Sequence, residues 1–215
     1  MLLPANSLTA QTIARHLLKL EAVKLSPEAP FQWASGWKSP IYCDNRLTLS
    51  DPDTRTLIAE ALTTLIRTHF PEVGGIAGVA TAGIPQAALV AEKLDLPMIY
   101  IRGKAKGHGR QNQIEGNPKA GMNWVVIEDL VSTGGSSLAA IQALQDTGAE
   151  VLGLAAIFTY GFPVAEKQFA EANIKWSALS HYEALLEEAL SEGYIGSDTM
   201  STLQAWREAP EKWEG

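Results

Sequence analysis

From residue 73 onward the chain alternates short, wholly apolar runs with helix-patterned stretches, and few folds accept that order. Residues 76–79, 98–101, 125–127 and 151–158 read as strands, with helices at 85–94 and 136–147. Strands that are apolar at every position must be covered on both faces, so the alternation predicts a parallel sheet with helices on either side. Ahead of it, a helix is predicted to start after Asn6 or Ser7 and to run to about Val23, with Ile13, Leu17 and Leu18 on one face. Residues 31–43 set aromatics around Gly36 and Pro40, the pattern of two short strands joined by a turn. Ser50-Asp51-Pro52 is a helix start that Leu57, Ile58, Ala61, Leu62, Leu65 and Ile66 continue with a period near 3.6. Residues 180–206 read as two amphipathic helices. No linker, repeat or low-complexity tract interrupts the chain, so a single α/β domain is expected over residues 1–215.

Composition narrows the class. Against 24 acidic side chains there are 17 basic ones, a formal charge of −7, which argues against a general nucleic-acid binder. Cys43 is the one cysteine, which excludes an intrachain disulfide and a Cys-built zinc site; it is expected to act as a small buried hydrophobe. No apolar run approaches the ~18 residues of a membrane span. Residues 1–6 lack a basic segment and a long apolar stretch, so no signal peptide and a cytoplasmic location are expected.

The region between Arg102 and Trp124 breaks the rhythm. It holds Gly103, Gly107, Gly109, Gly116 and Gly121 together with Lys104, Lys106, His108, Arg110 and Lys119. Connections beyond ~12–15 residues in a compact domain are usually functional. A mobile loop over about 103–121 is expected, with glycines for freedom and cations for an anionic ligand to close upon.

The most informative stretch runs from Trp124 to Ser137. An apolar strand is expected to end in the adjacent carboxylates Glu128 and Asp129; a turn of small residues follows, then a helix near Ser136. Ligands of open parallel sheets bind at the carboxyl ends of strands, and backbone N–H groups of residues 132–136 at a helix start would hold a phosphate. Carboxylates repel phosphate, so the pair points to a ligand with a phosphate at one end and hydroxyls beside it, such as a ribose 5-phosphate. Either half alone would be an ordinary surface pair or an ordinary helix cap; the combination weighs against that reading. It is neither a Walker loop nor a Gly-x-Gly-x-x-Gly fingerprint.

These residues resemble the type I phosphoribosyltransferases, whose motif for 5-phosphoribosyl 1-pyrophosphate is similar to residues 125–136. Three further segments resemble the orotate-specific enzymes of that family. They are 100–109 (YIRGKAKGHG, like their mobile catalytic loop), 35–46 (SGWKSPIYCDNR, like their substrate hood) and 78–85 (GVATAGIP, like the loop facing the pyrophosphate). The resemblance implies a roughly five-stranded parallel sheet with an N-terminal hood, over about residues 1–48 plus parts of the C-terminal region. It also implies a homodimer and a Mg²⁺-assisted transfer of ribose 5-phosphate from the pyrophosphate donor to N1 of orotate, with no nucleic-acid or membrane partner. By the same resemblance Glu128 and Asp129 hold the ribose hydroxyls, Ser132, Thr133, Gly134, Gly135 and Ser136 cradle the 5-phosphate, and Leu130 and Val131 belong to the same donor-binding motif. Arg102, Lys106 and His108 meet the pyrophosphate, the last two reaching into the neighbouring subunit's site. Lys106, Asp129 and His108 are the implied catalytic residues; Ser132, Lys38 and Tyr42 are the implied orotate contacts.

The chemistry agrees with that assignment. Breaking the anomeric C–O bond leaves positive character on the sugar and extra negative charge on pyrophosphate, which calls for carboxylates at one end and cations at the other. A closing loop keeps water from the donor. Four positions depart from many relatives: Ala34, Ala82 and Gly103 stand where those have Lys, and Tyr160 where they have Arg. Lys38, Arg46 and Lys104 are the candidates to replace that charge. Tyr42 fits either strand packing or stacking on a pyrimidine. His16, His69 and His181 carry no assignment, and the tryptophans read as core and dimer packing. A purine-base enzyme and a non-catalytic sensor of the same donor are the alternative readings.

Overall fold

The computed structural model describes residues 2–3, 6–33, 36–103 and 113–213. Helix α1 (Ser7–Lys19) is capped by Asn6, whose side chain accepts from Thr9 N at 3.0 Å. It stops short of the expected Val23 because Glu21 takes φ 52°, a left-handed turn that sends the chain into strand β1 (Val23–Leu25). Strands β2 (Phe31–Gln32) and β3 (Lys38–Ser39) pair antiparallel as the expected hairpin, and β4 (Ile41–Cys43) returns to pair antiparallel with β1. A 3₁₀ turn over Asn45–Ser50 leads to α2 (Pro52–His69), whose cap Asp51 accepts from Thr54 N at 2.9 Å.

The remainder follows as β5 (Gly75–Val79), α3 (Gly83–Leu94), β6 (Met98–Ile101), β7 (Ile114–Glu115), β8 (Asn123–Val131), α4 (Gly135–Gln145) and β9 (Glu150–Thr159). After these come α5 (Pro163–Glu171), β10 (Lys175–His181), α6 (Tyr182–Ser191) and α7 (Ser197–Glu208). Among the described residues the main sheet has six strands in the order β10-β9-β8-β5-β6-β7, parallel except for β7. The expected alternation is present, with additions. β7, inside the stretch expected to be loop, pairs antiparallel with the edge strand β6. β10 takes Ser180 and His181, which were expected in a helix. Its buried serines hid it from an apolar-run reading; Ser180 Oγ donates to Ala10 O at 2.7 Å, so the polar atom is satisfied inside the core. Within the described residues, no helix is long and apolar enough to cross a membrane.

Alternate residues of each strand feed two cores. Ile76, Val125, Ile127 and Ile157 face α1, α2, α3 and α6; Ala77, Val126, Leu154 and Ala156 face α4 and α5. The chain goes from β5 outward to β6 and then crosses back to β8 on the other side of β5. The strand order therefore reverses between β5 and β8, where an open sheet leaves a crevice at its carboxyl edge.

Candidate active site

A cleft of about 400 Å³ lies at that crevice. Its walls come from Val79 and Ala80 at the end of β5, Arg102 and Gly103 after β6, Gln113 before β7, and Glu128, Asp129, Leu130, Ser132, Thr133, Gly134 and Ser136 along β8 and the start of α4. Two helices start at this edge, and neither α3 nor α4 carries a side-chain cap. Their leading N–H groups are open to an anion, and the helix dipoles favour negative charge there. Two such seats suit a ligand with phosphate at both ends. Gly134 makes the turn into α4 at φ 87°, and a Cβ there would meet the Phe169 ring at 3.0 Å, so glycine is required on both counts.

β8 runs two residues past the carboxylates at which it was expected to end: Glu128 pairs with Ala156, and Leu130 and Val131 with Phe158 and Thr159. Consecutive strand residues point to opposite faces, so the two acids have different surroundings. Glu128 is 6% exposed; its Oε2 accepts from Ser137 Oγ and its Oε1 from Asp129 N, each at 3.1 Å. Burial, and then the Asp129 charge, push its carboxyl up to about 9, so it is neutral at pH 7. Asp129 is half-buried toward the hood, where Asn45 Nδ2 donates to its backbone carbonyl at 2.8 Å. At the other end Arg102 Nη1 lies 3.4 Å from Glu115 Oε1, and Arg102 N donates to Gln113 O at 2.7 Å.

The buried neutral acid has a consequence for stability. Below its unfolded value of 4.5 Glu128 is protonated in both states; above it the unfolded chain ionises while the folded one keeps the proton. Stability conferred by holding the proton is thus lost as pH rises through the window up to about 9. Glu128→Gln removes this titration, so the variant gains on the parent by about 4–5 kcal/mol between pH 5 and pH 8.5. Urea denaturation of both proteins across that range checks it; a difference that does not change with pH contradicts the buried neutral carboxyl.

The phosphoribosyl transferase domain family matches residues 51–178. An orotate phosphoribosyltransferase of Cytophaga hutchinsonii is 56% identical over 202 residues, covering 94% of this chain and 97% of that protein. The chain belongs to the orotate phosphoribosyltransferase family. The corresponding Bacillus subtilis enzyme is 55% identical over 206 residues, 96% of this chain and 95% of that one. The crystal structure of orotate phosphoribosyltransferase from Aeropyrum pernix superposes with a TM-score of 0.75 at 29% identity, over 86% of this chain and 99% of that chain.

For a member of this family the placement of the expected site residues is instructive. Arg102, Glu128, Asp129, Leu130, Ser132, Thr133, Gly134 and Ser136 share the cleft. Val131 does not: it is fully buried against α4 and α5, and Gly135 opens α4 beside the wall. Lys38 and Tyr42 are on the hood strands β3 and β4 and not in the cleft wall. Lys104, Lys106 and His108 lie outside the described residues, as does Ala34. Ala82 is the uncapped residue ahead of α3, and Gly103 lines the cleft without a side chain. Tyr160 is 2% exposed in an aromatic cluster, its ring centroid 5.0 Å from Trp33, 5.4 Å from Phe162 and 5.8 Å from Trp206. Burial pushes its phenol well up, so it supplies no charge of either sign. Sequence reading missed Ser137, Asn45 and Gln113; single polar residues in a helix, a turn and a loop carry no periodic signal.

Proposed function

We propose that this chain transfers the 5-phosphoribosyl group from 5-phosphoribosyl 1-pyrophosphate to N1 of orotate, giving orotidine 5′-monophosphate and pyrophosphate, as a cytoplasmic homodimer in pyrimidine nucleotide synthesis. The observation that carries this reading is a cleft that joins the uncapped start of α4 to the acids Glu128 and Asp129, with the uncapped start of α3 at the same edge of the sheet. In it the 5-phosphate sits on the N–H groups and hydroxyls of Ser132, Thr133, Gly134 and Ser136, and the pyrophosphate lies toward Arg102 and the start of α3. Lys106 and His108 meet the pyrophosphate from the 103–121 segment, reaching in from the neighbouring subunit. Asp129 accepts from the ribose hydroxyls, and neutral Glu128 donates or accepts beside it. As the C1–O bond breaks, its electron pair goes to pyrophosphate; the N1–C1 bond forms and the N1 proton leaves. The Asp129 charge favours the cationic sugar between those events.

The donor set also suits Mg²⁺. Asp129, with the hydroxyls of Ser132 and Thr133 on the same cleft, would offer an oxygen to a hard ion that keeps most of its ligands as water and phosphate oxygens. The ion would supply charge neutralisation on the pyrophosphate. The test is loss of orotate absorbance on mixing the protein with the donor and Mg²⁺, with uracil, hypoxanthine, guanine and adenine as parallel arms. Turnover of orotate alone is expected; turnover of a purine instead overturns the assignment.

A further inference from the structure

Orotate is a flat ring with a carboxylate beside the reacting nitrogen, so its site needs a cation close to the sugar and a surface to lie on. We propose that Arg46 is that cation and receives the orotate carboxylate; this rests on the reaction proposed above. The hood covers the end of β8 on the face away from α4. Its anchor is Asn45, 2% exposed, with Nδ2 on the Asp129 carbonyl at 2.8 Å. The next residue is Arg46, one position along the chain from the hydrogen bond that ties the hood to Asp129.

The guanidinium is prepared for a carboxylate. Asp44 holds it in a fork, Nε to Oδ1 at 2.7 Å and Nη2 to Oδ2 at 2.8 Å, and also accepts from Arg46 N at 3.1 Å. One carboxylate therefore fixes both the turn and the plane of the side chain. Among the described residues both N–H groups of Nη1 are left for a ligand, and the side chain is 61% exposed. Asp44, Tyr42 and Asp129 all act on its charge, which sets the arginine among the hood aromatic and the sugar-binding acid. Tyr42 is 43% exposed, its ring centroid 5.6 Å from that of Phe31, so the hood also presents an open aromatic face.

The other described positions do not offer the same. Tyr160 is sealed in the aromatic cluster, Ala82 and Gly103 have no charge to give, and Arg102 lies against Glu115 at the pyrophosphate end. Lys38 is on β3, whose carbonyl at that residue accepts from Trp206 Nε1 at 3.3 Å on the α7 side of the hood. Replacement of the cation expected at residue 160 by one on the hood would then be a relocation of charge across the base, not a loss of it.

The experiment compares the parent with Arg46→Ala, Arg46→Lys and Lys38→Ala. It measures KM for orotate, KM for the donor, and inhibition by uracil-6-carboxamide, which keeps the ring and removes the charge. Calorimetric binding of orotate in the presence of pyrophosphate and Mg²⁺ reads the site independently of turnover. Arg46→Ala is expected to weaken orotate by about 30-fold in both KM and binding, with donor KM and carboxamide inhibition changed less than threefold. Arg46→Lys recovers only part, since an ammonium cannot reproduce the fork. Unchanged orotate KM in Arg46→Ala, an equal loss for the carboxamide, or a loss seen in Lys38→Ala instead overturns the assignment. Failure of the parent to turn over orotate while still binding it through Arg46 would count against the reaction and leave the arginine standing; failure to bind it at all removes both.

Discussion

Asp129→Asn lowers kcat/KM for the phosphoribosyl donor by about 100- to 1,000-fold, the scale of removing one preorganised electrostatic group from a charge-developing site. The amide still hydrogen-bonds to a ribose hydroxyl, so shape and ground-state contacts change little; what disappears is the negative charge beside the cationic sugar. Glu128 does not substitute for it, because burial keeps that carboxyl protonated at neutral pH. The variant should melt within about 2 °C of the parent, since the structural role of this residue runs through its backbone carbonyl to Asn45. Initial rates at saturating orotate with varied donor decide the matter. A loss below tenfold assigns the electrostatic role elsewhere. A second readout follows from the neighbouring pair: removing the Asp129 charge relaxes Glu128 toward its ordinary range, so the stability slope between pH 5 and pH 8.5 becomes shallower.

Trp206→Ala costs about 3–5 kcal/mol of folding stability, among the largest losses a single truncation here should produce. Trp206 is fully buried on α7 and touches four rings: centroids lie 5.6 Å from Trp33, 5.8 Å from Tyr160, 5.4 Å from Phe162 and 5.4 Å from Tyr182. Its Nε1 also donates to the Lys38 carbonyl. The residue therefore joins the C-terminal helix to the hood hairpin, and its removal opens a cavity between them. Urea unfolding should show a lower midpoint, and orotate KM should rise more than donor KM because the hood is loosened while the phosphate seats on α3 and α4 are not touched. A stability loss under 1 kcal/mol would show that the surrounding aromatics close the gap.

The sequence-only reading and the structure agree where local pattern decides. Apolar runs at 76–79 and 125–127 are strands buried on both faces and the run at 98–101 is a strand half-buried on one, and the order acid, acid, small-residue turn, helix could be placed at a strand's carboxyl end without coordinates. β10 escaped because Ser177 and Ser180 are polar yet satisfied by carbonyls of Leu3 and Ala10, partners 174 and 170 residues away. β7 escaped because a two-residue edge strand in a glycine-rich stretch has no period to read. Tyr160 illustrates the same limit within the site. Its identity announced a missing cation, and only packing revealed that the phenol is turned into the Trp33–Trp206 cluster.

By itself, then, the sequence determined the α/β alternation, the phosphate-seat motif and the family resemblance, because these rest on residues adjacent in the chain. The tertiary structure decided that Glu128 is buried and keeps its proton, that Asn45 ties hood to sheet, and that Asp44 holds Arg46 in a fork. Each of those depends on burial, or on which distant groups share a low-dielectric space, and neither quantity is defined until the chain has folded.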